Sequence, residues 1–348
     1  MSVPRKRTLE AFFAPAPKRS KAADDDDNDV DEVIHIARVH HADLPASLSN
    51  GMASAPARPS RSINDQPDLD LVYFEPFIPT RISRALFEFL RAELPFYRVE
   101  YDIQRSGIAT HVRTPRSGTL SPFTSSLFDS FLTSRRWTTV FGLDDTSFFS
   151  EDGRPLDKAT GRQVRYPAAC PRPIPECLDR LRRSSEAATG CRFNFCLVNY
   201  YASGYDSIAF HSDDERFLGK DPAIASISLG ARRDFILRHK PTPPPSSSLS
   251  SSSSPPQPPV PQPRHLGQLR FPLGSGDLML MRGRTQSSWL HSIPKRVGKN
   301  QVDGGRINIT FRKAMVREGT ENYYRYNVGN GPVYRWNREN REMMPWIP

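Results

Sequence analysis

Arg306-Ile307-Asn308-Ile309-Thr310-Phe311-Arg312 is the stretch on which the reading of this chain turns. Polar and apolar residues alternate with a period of two, the pattern of a strand with two unlike faces. Ile307, Ile309 and Phe311 suit a hydrophobic shell, while Arg306, Asn308, Thr310 and Arg312 share the opposite face and point inward together. Two inward arginines are costly to bury without anionic partners. A dicarboxylate would supply them, because a guanidinium fork matches a carboxylate through two parallel hydrogen bonds. A structural arginine pair bridged to Asp or Glu would leave the same pattern.

Further back lie Asn199-Tyr200-Tyr201 and His211-Ser212-Asp213-Asp214-Glu215, with His291 in between. Residues two apart in an extended segment point the same way, so an imidazole from His211 and a carboxylate from Asp213 can reach one metal ion. His291, from a distant strand, would complete three ligands. Two histidines and one carboxylate leave three positions open on octahedral iron, the arrangement that activates oxygen at non-haem Fe(II). Taken alone, His-x-Asp is also what a surface histidine beside an acidic run looks like. Asn199 and Tyr201 share a strand face and can both donate to one ligand.

Around these motifs the elements follow. Thr80 is expected to cap a helix carrying Ile82, Ala85, Leu86, Phe89 and Leu90 on one face. A second helix is expected over 174–189, stopped by Gly190. Segments 195–201, 223–229, 234–238, 266–271, 277–281 and 306–312 read as short strands. Helices followed by many short strands indicate an α+β chain with a jelly-roll-like barrel. Residues 241–263 are almost wholly Pro, Ser and Gln and read as a disordered insertion in a surface hairpin.

Net charge is +10, with 33 prolines in 348 residues. A basic chain favours polyanionic partners, of which nucleic acid is the commonest; a basic tail on a neutral body is the other reading. Cys170, Cys177, Cys191 and Cys196 form no C-x-x-C pair, which argues for reduced thiols. No stretch approaches the roughly 20 apolar residues of a membrane span, and the N-terminus lacks an apolar signal core. Residues 1–66 read as a disordered tail. Within it, Arg5, Lys6 and Arg7 followed by Lys18, Arg19 and Lys21 have the spacing of a bipartite nuclear import signal, which places the protein in the nucleus. Leu9, Phe12 and Phe13 would line one helical turn, a pattern that resembles the peptide docking on the replication sliding clamp, with Lys6 where the usual Gln would stand. Val33-Ile34-His35-Ile36 could add a strand to a SUMO-like partner; a chance apolar patch is the other reading. The folded domain is expected over 67–320. A C-terminal extension, 321–348, carries Tyr323, Tyr324, Tyr326, Tyr334, Trp336 and Trp346 among arginines, residues that either pack on the core or stack on bases.

Taken in order, Asn-x-Tyr, His-x-Asp-Asp-Glu, a distant His and Arg-x-Asn-x-Thr-Phe-Arg resemble the AlkB family of Fe(II)- and 2-oxoglutarate-dependent dioxygenases over most of the chain. The resemblance implies a double-stranded β-helix core with N-terminal helices and a nucleotide-recognition lid. It implies Fe(II) on His211, Asp213 and His291. It implies 2-oxoglutarate held by Asn199, Tyr201, Arg306, Asn308 and Arg312 with Thr310 nearby, O2 as oxidant, and ascorbate as reductant. Oxidative removal of N-alkyl groups from bases such as 1-methyladenine and 3-methylcytosine would follow, on DNA or alternatively on RNA or single strands. Several details resemble the nuclear branch acting on double-stranded DNA. Asp214 and Glu215 would lie at the base, Glu215 reading its exocyclic edge, with Arg238 near the bound strands. Val140-Phe141-Gly142 resembles a finger in which Phe141 fills the gap left by a flipped base; a core residue after a strand is the other reading of Phe141. Tyr166 is the candidate for stacking on the base, in a segment (147–173) longer and more charged than the family's lid. A monomer is expected.

Overall fold

The computed structural model describes residues 44–105, 108–114, 136–166, 171–241, 267–298, 302–317 and 331–346. In chain order the elements are α1 (Ala46–Met52), β1 (Arg61–Ile63), β2 (Leu71–Phe74), α2 (Thr80–Glu93), β3 (Val99–Arg105), β4 (Ile108–Thr114), β5 (Trp137–Gly142), β6 (Ser147–Phe149) and β7 (Pro155–Asp157). There follow α3 (Glu176–Thr189), β8 (Phe195–Tyr201), β9 (Ile208–His211), β10 (Ile224–Gly230), β11 (Arg233–His239), β12 (Leu269–Leu273) and β13 (Leu278–Met281). The last are α4 (Thr285–Ser288), β14 (Trp289–Ile293), β15 (Arg306–Arg312), β16 (Tyr334–Asn337) and β17 (Glu342–Pro345).

Two antiparallel sheets carry the architecture. The larger runs β1-β2-β13-β10-β15-β8-β5 and the smaller β12-β11-β14-β9. β15 lies inside the larger sheet, Ile309 opposite Ile227 of β10 on one side and Val198 of β8 on the other. Its alternation is used as the sequence suggests. Ile307, Ile309 and Phe311 join Val198, Tyr200, Ala225 and Ile227 in a core beneath Leu86 and Leu90 of α2 and Leu178 and Leu181 of α3. Each such side chain contributes about 1.5–3 kcal/mol on burial. The other face of the sheet turns toward the smaller sheet, where Leu197, Phe195, Met279 and Met281 meet Phe235, Leu237 and Ile293. This is the α+β, double-stranded β-helix (jelly-roll) class expected from the sequence.

Helix α2 begins without a side-chain cap. Pro79 occupies the N-cap, its carbonyl accepting the Ser83 amide, and Thr80 is the first helical residue rather than the cap. Helix α3 opens after Pro175 with Glu176 and Asp179 in its first turn, where the helix dipole favours anions, and ends at left-handed Gly190. The turn leaving β10 requires glycine at 230: φ is +88°, and a Cβ there would lie 2.5 Å from the Gly305 carbonyl oxygen.

The boundary at residue 66 is too late. Helix α1 buries Leu48 and Met52, and β1 pairs along β2, so the packed unit includes residues ahead of 66. Pro and Ser there obscure a few apolar anchors; Met52 joins the core that packs on α2. At the other end β16 and β17 pack back on the body. Tyr334 is buried against Trp137 at 4.6 Å, and Trp336 lies between Tyr200 and the Arg91 guanidinium. The import and clamp-like motifs, the Val33–Ile36 strand-like patch, Tyr323, Tyr324, Tyr326, Cys170 and residues 242–263 lie outside the described residues. Among the described residues, Cys177, Cys191 and Cys196 are free thiols, and no helix is long and apolar enough to cross a membrane.

Candidate metal centre and cosubstrate pocket

β9 and β14 bring two histidines together. His211 pairs directly with His291 across the strands, ring centroids 4.2 Å apart. Asp213 follows two residues after His211, beyond the strand end. Its Oδ1 lies 3.8 Å from His211 Nε2 and its Oδ2 3.7 Å from His291 Nε2. One ligand atom from each residue falls within 4.8 Å of the others, and among the described residues this is the one group of three or more such side chains so placed.

The electrostatics suit a cation. Burial lowers the His211 pKa against the pull of Asp213. Burial, reinforced by His211, drives His291 down to about 3. Both rings are therefore neutral, the ligand form, and their approaches to Asp213 are edges of a ligand set, not ion pairs. His211 Nδ1 donates to the Ala209 carbonyl at 2.9 Å, which leaves Nε2 with its lone pair toward Asp213. Phe235 stacks on the His291 ring at 5.2 Å and fixes its plane. Burial would raise the Asp213 carboxyl, but the Arg312 guanidinium beside it outweighs this and holds the group ionised.

The polar face of the larger sheet lies next to this centre. Arg312 places Nη2 3.0 Å from Asp213 Oδ2 and Nη1 3.6 Å from Glu215 Oε1. Expected to hold the cosubstrate, it is joined here to the metal carboxylate. Glu215 is buried beside it, so it is no solvated surface acid. Arg306, at the far end of β15, is 1% exposed. Its Nη2 donates to Ser228 Oγ at 2.9 Å and its guanidinium sits 5.5 Å from the Tyr201 ring centroid. Arg306 Nε and Nη1 are buried with no hydrogen-bond partner among the described residues. Burial lowers its pKa to about 10, Tyr201 pulling the other way. Two orphaned donors on a buried cation fit a carboxylate of an organic acid. The residues present thus fit both Fe(II) and 2-oxoglutarate. Between the arginines, Asn308 Nδ2 donates to Ser226 Oγ at 2.8 Å and Thr310 Oγ1 to the Leu197 carbonyl at 3.0 Å. Asn199 Oδ1 accepts from Arg136 Nε (2.9 Å) and Thr138 Oγ1 (3.0 Å), which sets the orientation of its amide.

The base-facing expectations fare unevenly. Asp214 is half-buried and pairs with Lys240 Nζ at 2.9 Å. Arg238 is exposed on β11, its guanidinium 4.1 Å from the Phe210 ring centroid. Tyr166 is half-buried. Phe141 is not a projecting finger. It is fully buried on β5 in the helix-facing core, under the Arg172 guanidinium, whereas its neighbour Val140 belongs to the core between the sheets. Successive residues of a strand face opposite ways, and Phe141 falls on the side away from the site. Residues not singled out from the sequence also belong here: Ser226 and Ser228, whose two-residue spacing on β10 was a usable signal, and Arg136 and Gln286, which carried none.

The comparisons with known proteins agree with this geometry. The family model described as the 2OG-Fe(II) oxygenase superfamily matches residues 70–312. DNA oxidative demethylase ALKBH2 of Arabidopsis thaliana is 30% identical over 294 residues, covering 83% of this chain and 81% of that protein. DNA oxidative demethylase ALKBH2 of Homo sapiens is 38% identical over 146 residues, 42% of this chain and 49% of that one. Alpha-ketoglutarate-dependent dioxygenase alkB homolog 3 of Homo sapiens is 36% identical over 135 residues, 39% and 41% of the two chains; against these two human relatives the matched part spans less than half of their length. The superfamily match ends on Arg312 and takes in the smaller sheet, the larger sheet except β1, and every residue of the triad, and one AlkB relative aligns along most of the chain: this protein is a dioxygenase of the AlkB family within the 2OG-Fe(II) oxygenase superfamily.

Proposed function

We propose that the protein removes N-alkyl groups oxidatively from bases in DNA, with 1-methyladenine and 3-methylcytosine as the first substrates to test. The observation that carries the reading is the similarity to a DNA oxidative demethylase along 83% of the chain. When bound, Fe(II) and 2-oxoglutarate supply the oxidation of a C–H bond by O2, with succinate and CO2 as co-products. This chain's residues do the rest. His211, Asp213 and His291 would hold the metal; Arg306 would bind a carboxylate of the cosubstrate through its two orphaned donors. Arg312 keeps Asp213 ionised, and Phe235 keeps His291 in plane. Glu215, buried beside Arg312, would accept a hydrogen bond from the base, and ascorbate would keep the iron reduced. The net charge of +10 supports a polyanionic substrate. The tail motifs extend the proposal to a nuclear monomer that meets the replication clamp through Leu9, Phe12 and Phe13.

The test is succinate and formaldehyde release from a duplex oligonucleotide bearing 1-methyladenine, with Fe(II), 2-oxoglutarate and ascorbate. Wild-type protein is expected to release both and Asp213→Ala neither; no release from any alkylated DNA would overturn the reading. One observation favours a second substrate, single-stranded DNA or RNA: with Phe141 in the core, no described side chain is assigned to fill the gap in a duplex. Phe141→Ala should then cost about 3–5 kcal/mol of stability, as a core cavity does, and slow repair of single and double strands equally. A loss confined to duplex would reinstate the finger.

A further inference from the structure

Asp213 is the least supported of the three ligands by regular structure. His211 and His291 belong to paired strands, whereas Asp213 lies between the end of β9 and the helical turn Arg216–Leu218. Its backbone has no ladder partner, yet the residue is buried. A buried amide left unpaired costs stability and leaves its segment free to shift. The partner comes from elsewhere: the Asp213 N–H donates to Gln286 Oε1 at 2.9 Å.

Gln286 has the marks of a built support. It is 1% exposed, on the single turn α4, five residues before His291 in the same continuous segment. The atom facing an N–H donor must be the amide oxygen, and the amide nitrogen then faces Met281 Sδ at 3.3 Å. The Gln286 carbonyl accepts from Lys240 Nζ at 3.0 Å, and the same ammonium grips Asp214 at 2.9 Å. Two ties therefore join α4–β14 to the Asp213–Asp214 segment, one through each of two consecutive residues.

We propose that Gln286 is a positioning residue for the metal centre: by accepting the Asp213 amide it locks the carboxylate against His211 and His291, so that the segment delivering one ligand also sets another. This rests on the triad being the Fe(II) site. Groups that orient metal ligands typically matter about 10–100-fold in affinity. The reach of a glutamine is needed; Asn at 286 would stop one methylene short, and Met would fill the space without an acceptor.

The test is Mn(II) binding to the full-length, metal-free protein, followed by the loss of the free-ion electron paramagnetic resonance signal. Urea unfolding of the same metal-free samples runs beside it. Gln286→Met is expected to weaken Mn(II) about tenfold or more at an unchanged urea midpoint, and Gln286→Glu, which keeps the acceptor, to recover most of the loss. If Gln286→Met unfolds, Gln286→Asn is read in its place with the same expectation. Wild-type affinity in the folded variant lacking the acceptor, or a Glu variant as weak as that variant, overturns the proposal. Asp213→Ala separates the two layers. If it binds Mn(II) as wild type does, the triad reading fails; if it loses the ion while the Met or Asn variant keeps it, only the role of Gln286 fails.

Discussion

The two ends of β15 present the same residue on the same face and treat it in opposite ways. Arg312 meets Asp213 and Glu215, so its charge is balanced inside the protein. Arg306 meets one serine hydroxyl and the face of a tyrosine, with two guanidinium nitrogens left over. Arg233 shows that this is a choice and not a packing limit. Buried as deeply, it donates to the carbonyls of Ser203, Asp206 and Pro294 and approaches Asp303. A buried cation with internal partners builds a site. A buried cation without them marks where a ligand's charge belongs.

The comparison can be broken most sharply at the balanced end. Arg312→Met would leave Asp213 and Glu215 buried without their cation. We expect loss of turnover and a cost of about 3–5 kcal/mol in urea unfolding. Arg306→Met should do the reverse: little change, or a gain, in stability without 2-oxoglutarate, because an uncompensated charge has gone. What it should lose is the response to the cosubstrate. Wild type in its metal-bound form is expected to gain about 2.7 kcal/mol at a hundredfold excess of 2-oxoglutarate over Kd, and the variant almost none. Equal destabilisation by the two variants would erase the distinction.

A smaller effect sharpens the same contrast in acid. His291 titrates at about 3 in the folded, metal-free protein and at 6.5 ordinarily. Between those values the unfolded chain carries a proton that the folded one does not, so stability rises with pH across the window and is lost as pH falls. The slope is at most about 1.4 kcal/mol per pH unit for each such imidazole, and His211 acts in the same direction. Urea midpoints of the metal-free protein between pH 7 and pH 5 measure it. His291→Asn should flatten the curve, whereas Arg306→Met should leave its shape unaltered.

How much of this was legible beforehand follows from what each residue answers to. The bounds of β8 and β15 could be read directly because their alternation is local and both faces are buried against unlike neighbours. The positions of His211, Asp213 and His291 were legible for a related reason: ligand types and strand parity are written in the chain itself. Phe141 was misread because Val-Phe-Gly does not reveal which face of β5 meets the helices. Thr80 was misread because a proline just before it takes the cap position. Gln286 was invisible because its meaning lies in a hydrogen bond to a residue 73 positions away, and nothing in Thr-Gln-Ser-Ser announces that.

The join between β9 and β14 carries a last consequence. β9 is the outermost strand of the smaller sheet, and its register with β14 is recorded at only two points, with an irregularity between them. One of those points is His211 opposite His291. An ion shared by these rings is thus also a clasp on a sheet edge. Stripping it would loosen the border strand and bare backbone groups that template association between molecules. Iron starvation would then reach this protein twice, first as lost turnover and then as a shorter soluble lifetime.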